Sequence, residues 1–109
     1  MDLNQYQYKS RETARYPNLG NNVIYPTLGL AGEAGEVADK VKKVIRDKEG
    51  FFGAKEKEEI KLELGDVLWY IAQLSTELGF KLEEVAQLNL DKLSSRSRRG
   101  KLYGSGDNR

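Results

Sequence analysis

The sequence predicts an all-α protein built as a four-helix bundle. Apolar residues recur at spacings of three and four along two long segments, which is the period of a helix face. No segment shows the alternation of a half-buried strand. Pro17, Pro26, the stretch Lys48–Gly53 and Gly79 punctuate the chain into four helical stretches.

The first helix is expected over Leu3–Tyr16 and is polar. Asn18 to Asn22, between the two prolines, reads as a turn-rich linker. The second helix is expected from Thr27 to about Asp47, with Leu30, Ala34, Val37, Val41 and Val44 on its apolar stripe. The third runs from about Lys55 to Leu78, with Ile60, Leu64, Val67, Ile71, Leu74 and Leu78 as its stripe. Glu56, Glu58 and Glu59 complement the dipole at its start, and Gly79 is its expected C-cap. The fourth spans Leu82–Ser95, with Leu82, Val85, Ala86 and Leu93 facing inward, although Lys81 is a poor N-cap residue. Residues 96–109 are basic, then rich in Gly and Ser, and read as a flexible tail. Leu62 and Trp69 fall opposite the main stripe of the third helix, a side expected to meet another subunit; packing of Trp69 on its own N-terminal helix is the alternative.

The chain has 109 residues, 39% hydrophobic and 32% charged, enough for one domain with a thin core. A net charge of +1 excludes a bulk polyanion binder, so no stable nucleic-acid partner is expected. The absence of cysteine and histidine excludes thiolate and imidazole metal ligands, and nucleophilic sites built on either residue. Any metal must sit on oxygen, which favours a hard cation such as magnesium, with manganese as a substitute. No apolar run approaches the ~20 residues of a membrane span and no basic, apolar leader is present, so a cytoplasmic location without a membrane partner is the expectation.

Two short patterns carry the chemistry: Gly32-Glu33-Ala34-Gly35-Glu36 and Glu63-Leu64-Gly65-Asp66. Each puts two carboxylates at i and i+3 on one helix face. Measured from Leu30, Glu33 and Glu36 lie about 60° and about 120° around the second helix; measured from Ile60, Glu63 and Asp66 lie at the same two angles on the third. Antiparallel packing by those stripes brings all four to one flank, where a divalent cation would compensate them. Solvated surface charge is the competing explanation, and Glu36 with Lys40 is also an ordinary i, i+4 pair. Gly32, Gly35 and Gly65 each cost about 1 kcal/mol relative to alanine inside a helix and suggest close helix approach or room for a ligand.

At these residues the sequence resembles the MazG-like branch of the all-α nucleoside triphosphate pyrophosphohydrolases. That family's pattern is E-E-x-x-E, a spacer, then E-x-x-D; Glu33, Glu36, Glu63 and Asp66 match it, and Gly32 stands where the first glutamate would be. The likeness extends to Leu28–Val37, Lys42-Lys43, Glu63–Tyr70, and Asn89–Leu93 with Arg96. It implies an oligomeric all-α fold of homodimers or homotetramers, magnesium on the four carboxylates, and hydrolysis of a nucleoside triphosphate to monophosphate and pyrophosphate. A carboxylate, with Glu36 the candidate, would take the proton of the attacking water. The triphosphate needs cations and contacts beyond the metal. Lys40, Lys43, Lys92 and Arg96 are the candidates for phosphate, Tyr70 for sugar or base, and Asn89 for phosphate or sugar; each is also readable as an ordinary surface or packing residue. A non-enzymatic helical interaction module using the Leu62/Trp69 side is the alternative function. A nucleic-acid binder using the basic tail, or a phosphohydrolase cutting elsewhere in the triphosphate, are others.

Overall fold

A computed structural model describes residues 1–109. It contains α1 (Leu3–Ser10), a 3-10 turn (Arg11–Thr13), α2 (Ile24–Asp47), α3 (Ala54–Leu78) and α4 (Leu82–Arg98), and no strand. All four expected helices form, and the fold is all-α.

The boundaries differ where local chemistry outweighs pattern. α1 is shorter than expected: it ends at Ser10 and tightens into the 3-10 turn before the chain extends toward Pro17. Its start is fixed by a capping box, in which Asp2 Oδ1 accepts from Gln5 N–H and Gln5 Oε1 accepts from Asp2 N–H, each at 2.8 Å. α2 begins three residues earlier than expected, with Pro26 inside its first turn, where a missing N–H costs nothing. Asn22 Oδ1 accepts from Tyr25 N–H at 2.9 Å and serves that end. α3 ends as expected at Gly79, whose φ of 81° allows the Schellman bond from Phe80 N–H to Ser75 O at 2.8 Å.

α4 forms without a capping side chain of its own. Glu84 Oε1 accepts from Lys81 N–H, while α1 takes two further N–H groups: Gln7 Oε1 accepts from Leu82 and Asn4 Oδ1 from Glu83. Gln7 Nε2 also donates to Thr76 Oγ1 and Phe80 O, so one α1 glutamine pins the whole α3–α4 turn.

α2 and α3 make an antiparallel hairpin, and α1 and α4 pack against α3 and each other. The bundle does not close within one chain. The radius of gyration is 16.7 Å, against about 13 Å for a compact domain of 100 residues. Ten residues are buried, five of them hydrophobic: Ala14, Tyr16, Val44, Ala72 and Leu82. Val85 and Leu93, expected inward on α4, are 38% and 37% exposed, and the stripe residues Leu64 and Leu78 are also exposed. The physical reason is that α1 is only eight residues long and cannot cover both α3 and α4.

Trp69 packs on its own chain. Its indole N–H donates to Ser10 O at 3.1 Å and Thr13 Oγ1 at 3.0 Å, the packing on its own N-terminal segment that was the alternative to a subunit contact. Leu62, two turns earlier and beyond that cover, stays 65% exposed. The same N-terminal segment is held by a polar hub that the sequence reading missed. Glu77 Oε2 accepts from Arg11 Nη2 (2.6 Å), the Tyr16 hydroxyl (2.9 Å) and Gly20 N–H (3.0 Å), and Oε1 accepts from Asn22 N–H (2.6 Å). Burial opposes ionisation of this carboxylate. The four donors outweigh it and hold the pKa at about 2. Gln73, fully buried, extends the hub, accepting from Arg11 Nη1 and donating to Ser10 Oγ.

Candidate metal centre

The α2–α3 register places Gly29 beside Tyr70 and Lys40 beside Glu63. Glu33 lies between those two contacts and faces the turn that carries Glu63 and Asp66. Carboxylate oxygens of Glu33, Glu63 and Asp66 all lie within 4.8 Å of one another. Glu36 is exposed and stands outside that group. Three of the four carboxylates singled out in sequence are thus brought together from two helices.

The cluster is electrostatically undercompensated. Partial burial raises the Glu33 pKa, and the charges of Asp66, Glu63 and Glu36 raise it further. One cation reaches the group: Lys40 Nζ lies 3.8 Å from Glu63 Oε1. Lys40 therefore crosses to α3 instead of pairing with Glu36 along its own helix. An all-oxygen set of three anionic groups, with one partial counter-charge, fits a hard divalent cation.

Of the two expectations for the glycines, close helix approach or room beside the acids, the structure shows the second. A Cβ on Gly32, Gly35 or Gly65 would meet nothing, so these positions mark open space beside the carboxylates and not close helix contact. Close approach occurs one turn earlier, where the Tyr70 ring occupies the space a Cβ on Gly29 would need. Gly29 carries a signal in the sequence, a glycine next to the apolar stripe of a helix.

Tyr70 sits between Gly29, the Tyr25 ring (centroids 6.4 Å) and the Trp69 ring (5.0 Å, edge-on). With Trp69, Glu33 and Asp66 it lines a hollow of about 190 Å³. Aromatic faces therefore adjoin the carboxylates. Tyr25, stacked on Tyr16 at 4.8 Å, continues this aromatic row and was not singled out in sequence. Lys43 is paired with Asp39 at 2.7 Å, and with Lys40, Lys48, Asp47, Glu56 and Glu59 it lines a cleft of about 130 Å³ between α2 and α3, which shares Lys40 with the cluster.

The remaining candidates form a separate group on α4. Asn89 and Lys92 line a hollow of about 440 Å³ with Phe80, Val85 and Leu88. Lys92 Nζ lies 3.1 Å from Asp107 Oδ1. Arg96 is buried and donates to Asp107 O at 2.7 Å and to Asp107 Oδ1 at 3.3 Å. No hydrogen bond or ion pair links these three to the α2–α3 carboxylates. Residues 96–98, expected in the tail, complete α4, and the segment beyond them meets α4 where Asp107 pairs with Lys92 and Arg96.

The chain is 47% identical over 114 residues to the Gene 37 protein of Mycobacterium phage L5, covering the full length of both chains; that name states no activity. No solved structure matches. The description of the MazG nucleotide pyrophosphohydrolase domain matches residues 26–100, a span that holds all four carboxylates, Tyr70 and the α4 group. The chain belongs to the MazG nucleotide pyrophosphohydrolase family.

Proposed function

We propose that this protein hydrolyses nucleoside or deoxynucleoside triphosphates to monophosphate and pyrophosphate in a magnesium-dependent reaction at Glu33, Glu36, Glu63 and Asp66. The observation that carries this reading is the convergence of Glu33, Glu63 and Asp66 from two helices within 4.8 Å. A hard divalent ion held there supplies positive charge against the phosphate oxygens where charge develops. The residues do the rest. Lys40 and Lys43 line the cleft beside the cluster and hold phosphate oxygens. Lys92 and Arg96 add further phosphate contacts, and Asn89 a phosphate or sugar contact. The Tyr70 ring, beside Glu33 and Asp66, carries the sugar or base. Glu36, outside the cluster and exposed, has room to accept a proton from the water attacking the α-phosphorus.

A homodimer or homotetramer is part of this reading. The thin core and the exposed Leu62, Leu64, Val85, Leu88 and Leu93 support it, since an assembled partner would cover apolar surface that one chain leaves open. Control of a cytoplasmic nucleotide pool, or clearance of non-standard nucleotides, is the role that suits such a reaction.

The test is a panel of standard and modified NTPs and dNTPs with magnesium, assayed for both pyrophosphate and orthophosphate. Pyrophosphate with monophosphate is expected, and Glu36→Gln and Asp66→Asn should abolish it. Orthophosphate with diphosphate, or near-full activity in either variant, would overturn the assignment.

A further inference from the structure

Residues 99–109 form a loop closed largely by its own hydrogen bonds. Arg109 donates to Lys101 O, Leu102 O and Gly106 O, and Arg99 Nη2 donates to Arg109 O. Gly100, Gly104 and Gly106 have positive φ values of 68°, 130° and 85°, which let the chain double back. The loop meets the cations of α4 through Gly106 and Asp107. One Asp107 carboxylate oxygen accepts from both Lys92 Nζ and Arg96 Nη2, and the backbone carbonyls of Asp107 and Gly106 take further contacts from Arg96.

An oxygen anion shared by an ammonium and a guanidinium is the arrangement these two side chains would offer a phosphate. We propose that Asp107 is an internal competitor for the anion seat formed by Lys92 and Arg96, so that the loop 99–109 must leave before a polyphosphate engages them. The proposal rests on the assignment of Lys92 and Arg96 to phosphate made above. Two features suit a displaceable plug. The Asp107 side chain is 82% exposed, so its ion pair with Lys92 is well screened and weak, and water reaches the carboxylate although Arg96 itself is buried. The bonds that Arg109 makes within the loop are independent of α4, so release breaks only the contacts of Gly106 and Asp107 with Lys92 and Arg96. A triphosphate carries several charges against one carboxylate and wins the exchange. The pairing holds Asp107 ionised, its pKa lowered by hydrogen bonds from Lys92 and Arg96.

The experiment measures tripolyphosphate binding by calorimetry, without metal, to the full chain and to Asp107→Asn. Removing the competitor should tighten binding about five- to tenfold, as expected for deletion of a closed state favoured by that ratio. Because the change also removes a negative charge, Asp91→Asn is the matched control. Asp91 lies beside Lys92 in sequence, is exposed and is bonded by Gln87, so its neutralisation should change affinity less than twofold. Tripolyphosphate should also accelerate tryptic cleavage at Lys101 in the unaltered chain, and Asp107→Asn should show that faster cleavage without it. With a nucleotide substrate, Asp107→Asn should lower KM and leave kcat unchanged. Equal affinities for Asp107→Asn and the unaltered chain, an equal gain in Asp91→Asn, or no tripolyphosphate binding by either protein would overturn the proposal. A chain that turns over no nucleotide but shows the affinity difference would overturn the proposed function and leave the competitor standing.

Discussion

Glu77→Gln tests the N-terminal hub most directly. The carboxylate takes Asn22 N–H on Oε1, and Gly20 N–H, Arg11 and the Tyr16 hydroxyl on Oε2. An amide has one acceptor oxygen, so in either orientation its NH₂ faces at least one of these donors. The Arg11 charge also loses its partner. The pKa of about 2, against an ordinary 4.5, sets the scale. At 1.36 kcal/mol per pKa unit, the ionised carboxylate contributes about 3 kcal/mol, a large part of a typical domain's stability. The folded value lies below the unfolded one, so this contribution is complete above about pH 4.5 and is lost as pH falls toward 2. Trp69 is the single tryptophan and its indole is bonded to Ser10 and Thr13, so its fluorescence reports docking of the segment the hub holds. Urea titrations at fixed protein concentration should show the variant about 3 kcal/mol less stable at pH 7. With a slope of about 1.5 kcal/mol per molar, that lowers the midpoint by about 2 M. The gap should close steadily below pH 4.5. Equal midpoints at pH 7, or a gap undiminished at pH 2.5, would refute the reasoning.

Gly29→Ala should destabilise by about 1–3 kcal/mol in thermal melts, because the Tyr70 ring must leave its site; a gain of stability, as helix propensity alone predicts, would show that the contact is unimportant. Metal removal should separate the carboxylates from ordinary surface charge. Magnesium at about 100 times its Kd should stabilise the unaltered chain by about 2.7 kcal/mol relative to EDTA, and Glu33→Gln should lose most of that response. In EDTA the same variant should melt no lower than the unaltered chain, since the fold already disfavours the Glu33 charge; a marked drop there would contradict the electrostatic account of the cluster.

The sequence by itself determined the number of helices and which acids share a face of each, because both are local; that Glu36 stays outside the cluster was decided by packing. A period of three to four residues fixes which positions share a face, and an i, i+3 spacing fixes the direction of two acids on one helix. The ends of α3, set by Gly53 and Gly79, were equally legible. The start of α2 was not, since Asn22 and the hub at Glu77 hold it together across the chain. Glu77 carried a faint signal, an acid in the last turn of a helix where the dipole disfavours it. Its four donors come from a segment more than fifty residues away, and no local rule brings them there. The tertiary structure alone decided which glycine marks close approach, where Trp69 packs, and that Asp107 reaches Lys92 and Arg96. Those outcomes depend on the register of one helix against another and on where a loop returns. Periodicity says which face of a helix is apolar, but only packing says what that face meets.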